Sequence, residues 1–423
     1  MSRVYASLNE RVESRTLENG LRVCYLPKEN FGKTFAILAA NYGSADMSFT
    51  LDGKRYDTPA GVAHFLEHKM FEDEDGNALQ KFARTGASPN AFTSQTMTAY
   101  HFSCTERFEE NLEILLKFVF TPYFTEQNVA KERGIIGQEI GMMDDTPGWQ
   151  AFMGLFEGMY RAHPVRIPIA GSVESIAQIT PETLYTCHRA FYSPRNMALV
   201  VCGTADFDEV CRMAAQFSPQ QAPEIGRRHY GARRETVSEL TVTRRMQVSQ
   251  PQFLLGLKDD PLQQGESRLR RGLLGELALR ILCGDTAPLY AELYEKRLIG
   301  RDFDTDYTLI PEGAAAVLGG ESRDPEAVRT AIEAEIARLA REGVDKTLFR
   351  RMKKALYGLY LRVLDVPDAY ARQQAAALFA GEDYPDFAAL FDTVGPDDVQ
   401  AMYARWARRD RSCLSVVMPR QEE

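Results

Sequence analysis

Within the stretch TPAGVAHFLEHKMFE, residues 58–72, stand His64, Glu67 and His68, in a chain with only six histidines. On an α-helix, residues four apart lie about 40° apart around the axis, and residues three apart about 60° the other way. A helix here presents both imidazoles on one side with the Glu67 carboxylate beside them. Two imidazoles so placed bind one zinc ion at about 2.0–2.1 Å from each nitrogen. A catalytic zinc takes a third protein ligand and keeps its fourth position for water. Glu67 then stands where a general base takes the proton of that water. A histidine pair at this spacing, taken alone, is more often an ordinary pair on an amphipathic helix, so the reading turns on a third ligand.

AKERGIIGQEIGMMDD, residues 130–145, holds Glu132 and Glu139 seven apart. Seven residues make nearly two helical turns, so both carboxylates face the same way. One can ligate the metal while the other orients a histidine from behind; the alternative is a pair of exposed helix charges. Ile135, Ile136, Ile140 and Met143 predict that part of this helix is buried. A zinc held purely for structure is usually closed by four protein ligands. Three ligands with an adjacent glutamate favour catalysis.

These segments need elements to position them. For the first, Thr58 is expected as helix N-cap with Pro59 at the first helical position. LRVCYLP, TFAILAANYG, AYHFSC and NMALVVCG read as strands, and RFEENLEILLKFVF and PEAVRTAIEAEIARLARE as helices. The polar stretch 218–238, with Pro219, Pro223, Gly226 and Gly231, reads as a linker between two halves. The halves are related. TEQNVAKERGIIGQEIGMMDDTP (125–147) aligns without a gap on DKTLFRRMKKALYGLYLRVLDVP (345–367), with Glu139 opposite Leu359. A second alignment sets Leu274, Leu277 and Ala278 opposite His64, Glu67 and His68. The expected fold is α+β: two homologous domains, each a mainly antiparallel sheet covered by helices on one face. Their expected extents are 1–217, bearing the zinc, a linker 218–238, and 239–423, lacking the ligands.

The 423 residues suit two domains, and 44% apolar with 26% charged residues reads as soluble and globular. No apolar run reaches the length of a membrane span, and no N-terminal apolar stretch reads as a secretory signal. The net charge of −9 disfavours nucleic acid as a partner. Seven cysteines without a C-x-x-C pair suggest neither a disulfide framework nor a thiolate zinc site. The expected compartment is the cytoplasm.

H-x-x-E-H is the inverted zincin motif. Followed by KERGIIGQEI, it resembles the pitrilysin/insulinase family of zinc peptidases, which includes the mitochondrial processing peptidases, and most closely its small bacterial, YmfH-like branch. The resemblance implies two homologous α+β domains joined by a linker. It makes Glu139 the third zinc ligand and Glu132 the supporting glutamate. GASPNAFTSQTMTAY, residues 86–100, resembles the family stretch that helps hold the substrate. Asn90, Ala91, Phe92, Thr93 and Ser94 are therefore expected to contact a peptide added as a strand along a sheet edge.

One part of the family pattern is altered. Members commonly carry an arginine and a tyrosine seven residues apart in a C-terminal domain, where they bind substrate and help stabilise the tetrahedral intermediate. In ELYEKRLIGRDFDTDY, Tyr294 stands at the arginine position and Arg301 at the tyrosine position. Small bacterial members act as pairs of chains, one with zinc and one supplying the arginine and tyrosine. The expected function is a zinc endopeptidase cleaving short unstructured peptides or leader segments in an enclosed chamber. Glu67 is its base, and its partner is a related chain lacking H-x-x-E-H, or a second copy of itself. The alternative is a non-catalytic peptide-binding or assembly subunit.

Overall fold

The computed structural model describes residues 1–28, 31–74, 76–221, 223 and 225–420. The chain forms two compact units, one of residues 1–140, 168–229 and 361–386, the other of residues 141–167, 230–360 and 387–423.

The first unit is built on a seven-stranded sheet. Its strands run in the order Ser2–Tyr5, Glu10–Thr16, Arg22–Pro27, Met197–Gly203, Thr34–Ala40, Thr98–Cys104 and Ser88–Thr93. Every neighbouring pair is antiparallel except Arg22–Pro27 with Met197–Gly203. The four strands expected from their alternation or β-branched content all form. One sheet face contributes Val23, Leu38, Leu199, Tyr100 and Phe102 to a core shared with Leu112, Leu115 and Val119 of the helix Phe108–Phe120.

The expectation of helices on one face only is corrected. Ile37, Ala39, Val200 and Cys202 are also fully buried. The helix Pro367–Phe379, drawn from the second half of the sequence, packs on the strands Thr34–Ala40 and Met197–Gly203. A strand exposed to solvent on one face would alternate; these two are buried throughout, which requires cover on both faces.

The second unit repeats the pattern with five strands, ordered Thr241–Met246, Ser412–Pro419, Gln252–Asp259, Gly313–Glu321 and Asp304–Ile310. Its first pair is parallel and the rest antiparallel, as in the last five strands of the first sheet. It too carries a helix from the other half of the sequence, Pro147–Met159. Leu155, Phe156 and Met159 of that helix pack with Ala315, Val317 and Cys413 of the sheet. The approach is close: a Cβ at Gly154 would lie 2.6 Å from Ser415 Oγ, and one at Gly158 2.5 Å from Cys413 Sγ.

The two Asp-x-Pro sequences are helix-to-helix joints. The helices Glu126–Asp144 and Lys346–Leu364 end just before them, and Pro147 and Pro367 each open the next helix, where a missing N–H costs nothing. The stretch 218–238 is not all loop, for Ile225–Arg228 pairs as a strand with Ser48–Leu51. The seven cysteines are buried free thiols. Among the described residues no helix is long and apolar enough to cross a membrane.

Two buried histidines make the fold sensitive to acid. In the first unit His188 Nε2 donates to the Val119 carbonyl at 2.9 Å. In the second, His163 Nε2 donates to the Pro311 carbonyl at 2.8 Å while its Nδ1 accepts from the Val165 amide. Burial lowers both to about 4. The unfolded chain, with ordinary histidines, takes up protons first, so stability is full above about pH 6.5 and is lost as pH falls toward 4. Each histidine should account for on the order of 2 kcal/mol between pH 7 and pH 5. Urea midpoints should fall over that range, and the fall should be smaller in His188→Gln; an equal fall would exclude His188 as a source.

Candidate metal centre

The motif helix runs from Val62 to Lys69 and buries Val62, Ala63, Phe65, Leu66 and Lys69. It does not start at Thr58. The residue before it is Gly61, at φ 94°, and Thr58 instead bonds through both amide and hydroxyl to the Met47 carbonyl. The chain needs a left-handed turn here, which a glycine makes without strain. A Cβ on Gly61 would also lie 2.5 Å from the Ala170 carbonyl oxygen. The turn outranks the capping signal.

His64, Glu67 and His68 occupy the other side of this helix, half-buried. The helix Glu126–Asp144 lies beside them and buries Val129, Glu132, Ile136 and Ile140. Both expected glutamates reach the histidines. Glu132 Oε1 is 3.0 Å from His68 Nδ1. Glu139 Oε1 is 3.5 Å from His64 Nε2, and its Oε2 is 3.7 Å from His68 Nε2. The two imidazole rings stand 4.6 Å apart. Glu67 Oε2 accepts a hydrogen bond from the Thr93 hydroxyl at 2.6 Å.

Burial, then the neighbouring His68, lowers His64 to about 4, so it is neutral near pH 7. Burial pulls His68 the same way, but the Glu132 hydrogen bond and the charges of Glu67, Glu132 and Glu139 outweigh it and raise its pKa. Burial lifts Glu67 above the usual carboxylate value, although the Thr93 hydroxyl opposes the shift. Glu132 is lowered despite its burial, because His68 and Lys69 favour its charged form.

The residues fit a metal ion. His64, His68 and Glu139 each offer a donor atom within 4.8 Å of the others, and they form the one such group of three among the described residues. The 3.5 and 3.7 Å separations are long for hydrogen bonds. They are close to the ~3.4 Å between donors of a tetrahedral ion bound at about 2.0–2.1 Å. The His64 Nδ1, buried and without a hydrogen-bond partner, leaves that ring's orientation to whatever its other nitrogen binds. Two nitrogens and one carboxylate oxygen are a zinc donor set.

Two family models match. Insulinase (Peptidase family M16) covers residues 51–173, and the Peptidase M16 inactive domain covers residues 178–356. The chain is 38% identical to the uncharacterized zinc protease YmfH of Bacillus subtilis, over 98% of each chain. The chain belongs to the insulinase family, peptidase family M16. A solved M16-like peptidase from Alicyclobacillus acidocaldarius superposes with a TM-score of 0.93 at 34% identity, over 97% of this chain and 99% of that one. The mitochondrial-processing peptidase subunit beta of Caenorhabditis elegans is 27% identical over 48% of this chain and 43% of its own length. Zinc is the cofactor of this family and of this chain.

The other expected residues fall in two groups. Asn90, Ala91, Phe92 and Thr93 lie on Ser88–Thr93, at the edge of the seven-stranded sheet, and Ser94 follows it. Thr93 reaches Glu67. Phe92 packs near His101 and under the Arg372 guanidinium, and Ser94 Oγ accepts from the Thr96 and Met97 amides. Tyr294 and Arg301 belong to the second unit. Tyr294 stacks on Tyr290 on the helix Pro288–Glu295 with 43% of its surface exposed, and Arg301 is exposed in the turn that follows. One residue of the site escaped the sequence reading. Lys69 is fully buried beside Glu132, and the available signal was a lysine between His68 and Met70-Phe71, inside a largely apolar run.

Gly61→Ala should lower stability by about 2–4 kcal/mol, through the left-handed backbone and the clash with Ala170. Urea unfolding of the variant checks this; an unchanged midpoint would show that the turn before the motif helix can relax.

Proposed function

We propose that this chain is a zinc endopeptidase in which His64, His68 and Glu139 hold the ion and Glu67 is the general base. The observation that carries the reading is the meeting of both histidine Nε2 atoms with Glu139, on the helix that also presents Glu67. When bound, zinc polarises the scissile carbonyl and acidifies water. Glu67 takes the proton of the attacking water at its carboxylate and delivers it to the leaving amine. Its burial raises its proton affinity toward the working range of a general base. The Thr93 hydroxyl, on Oε2, fixes the carboxylate so that its other oxygen faces the water. Glu132 accepts from His68 Nδ1 and so leaves Nε2 as the ligating atom.

The substrate would be a short unstructured peptide or leader segment cleaved in an enclosed chamber. Ser88–Thr93 is an edge strand ending at the residue that touches Glu67, so a peptide added along it would pass the base. Only an extended segment can add in this way. The cytoplasm suits the seven buried thiols. The exchanged Tyr294 and Arg301 favour a partner, and the beta subunit among the relatives is by its name part of a larger assembly. The partner would be a related chain without H-x-x-E-H that carries an arginine and tyrosine seven apart; a homodimer is the other arrangement.

Wild type should bind one zinc, and His68→Ala should lose it. Glu67→Gln should keep zinc while peptide turnover falls by about 10²–10⁴. Full zinc in the His68 variant, or near-normal turnover by Glu67→Gln, would sink the assignment.

Turnover should be low for this chain alone and rise on mixing with the partner. Full activity alone that Arg301→Ala abolishes would show that one polypeptide type completes the site.

A further inference from the structure

Lys69 follows the proposed ligand His68 and points the other way, into the core; its side chain has 0% exposure. Val62, Ala63, Phe65 and Leu66 make the rest of that helix face apolar, so filling space requires no charge there. The ammonium instead lies between two carboxylates, 2.5 Å from Glu72 Oε2 and 3.5 Å from Glu132 Oε2. Glu132 is itself 8% exposed, and its other oxygen is on His68 Nδ1. A lysine, a glutamate and a histidine thus run in line from the core toward the three-donor group.

We propose that Lys69 is a positioning residue for the metal: its ammonium, anchored on Glu72, holds the second oxygen of buried Glu132, so that the first stays on His68 Nδ1 and leaves Nε2 free to ligate. The inference rests on the zinc-peptidase reading of the site and adds to it a residue that touches neither metal nor substrate. A carboxylate as buried as Glu132 needs a partner for each oxygen. His68 Nδ1 takes Oε1, and Lys69 is the lysine or arginine within 4 Å of Oε2 among the described residues. Without the ammonium, Oε2 is left without that partner and the carboxylate is free to rotate off His68, so the imidazole loses the contact that fixes its ring orientation and keeps Nε2 toward the metal. Glu72 anchors the other side of the ammonium, and Lys131 lies 3.8 Å from Glu72 Oε1.

The competing account is an ion pair that only fastens the two helices together. The two differ in zinc affinity, measured by chelator competition on the full chain for wild type, Lys69→Met, Glu132→Gln and the double variant. Loss of an orienting partner behind a metal ligand typically weakens binding about 10–100-fold. Lys69→Met should show a loss of that size, and so should Glu132→Gln. In the double variant the two losses should not multiply, because Lys69 acts through Glu132; its affinity should lie within about threefold of Glu132→Gln. The visible spectrum of the cobalt-substituted protein should shift in Lys69→Met, reporting a changed ligand field. Lys69→Gln, which keeps a donor toward Glu132, replaces Lys69→Met should the latter fail to fold, and should fall between it and wild type. Unchanged zinc affinity and cobalt spectrum, with only a lowered melting temperature, would overturn the proposal, as would losses that multiply. Wild-type protein taking up no zinc overturns the site reading and this inference together. Zinc binding that is lost in His68→Ala but indifferent to Lys69 overturns this inference alone.

Discussion

The hydrogen bond between Glu132 and His68 joins two elements that are remote in sequence, and the geometry of the site follows from it. The motif helix supplies both imidazoles, but eight residues cannot fix the direction of their own side chains. The long helix Glu126–Asp144 supplies the fixing. Glu132 lies on its buried face between Val129 and Ile136, where packing leaves the carboxylate little freedom. Seven residues on, Glu139 comes out nearly under Glu132 but two turns further along, with 39% of its side chain exposed. One helix thereby places a buried carboxylate behind His68 and an accessible one in front of it. The 3.0 Å contact and the 3.7 Å gap are two consequences of one helical repeat.

The second unit indicates what such a site costs a scaffold. It has the same run of strands with the same parallel pair, and a helix, Arg268–Cys283, at the place in chain order held by the motif helix. Leu274, Leu277 and Ala278 are buried there, and buried apolar side chains need no partners. In the first unit the corresponding positions carry two imidazoles and a carboxylate, which lose hydration on burial and recover it only through specific neighbours. Thr93, Glu132 and Lys69 are such neighbours for Glu67, His68 and Glu132. His64 Nδ1 has none.

Much of this was legible in the sequence, where the determinants are local. The strands Thr34–Ala40 and Met197–Gly203 are apolar runs of strand length, and the Asp-x-Pro joints follow from the chemistry of proline. H-x-x-E-H and the glutamate pair picked out side chains that the structure brings close together, because helical spacing sets which of them share a face. The failures lie where distant chain decides. Thr58 had the composition of a cap, but the clash that requires Gly61 comes from Ala170, more than a hundred residues away. Cover on both faces of the first sheet depends on Pro367–Phe379, whose sequence does not say which sheet it meets. Lys69 carries no local signal of its role, because its carboxylate partner Glu132 lies on a different helix.

Thr93 links the two parts of the proposed reaction. A sheet edge is ordinarily a hazard, since its free N–H and C=O groups invite pairing with other chains. Ser88–Thr93 is such an edge, and its blunting is uneven. Pro89 removes one donor, and the Asn90 side chain accepts from the Ala91 amide. Beyond them Phe92 and Thr93 keep regular register with Ala99 and Thr98. The protected part of the strand is thus the part further from Glu67, and the part nearer Glu67 has no such protection. Side chains alternate along a strand, so register that turns Thr93 toward Glu67 turns Phe92 to the opposite face, onto Arg372 and His101. A slip of one residue would put a phenyl ring against Glu67. The contacts of Phe92 therefore guard the hydrogen bond of Thr93, and the register of this edge beside Glu67 is fixed from the far side of the sheet.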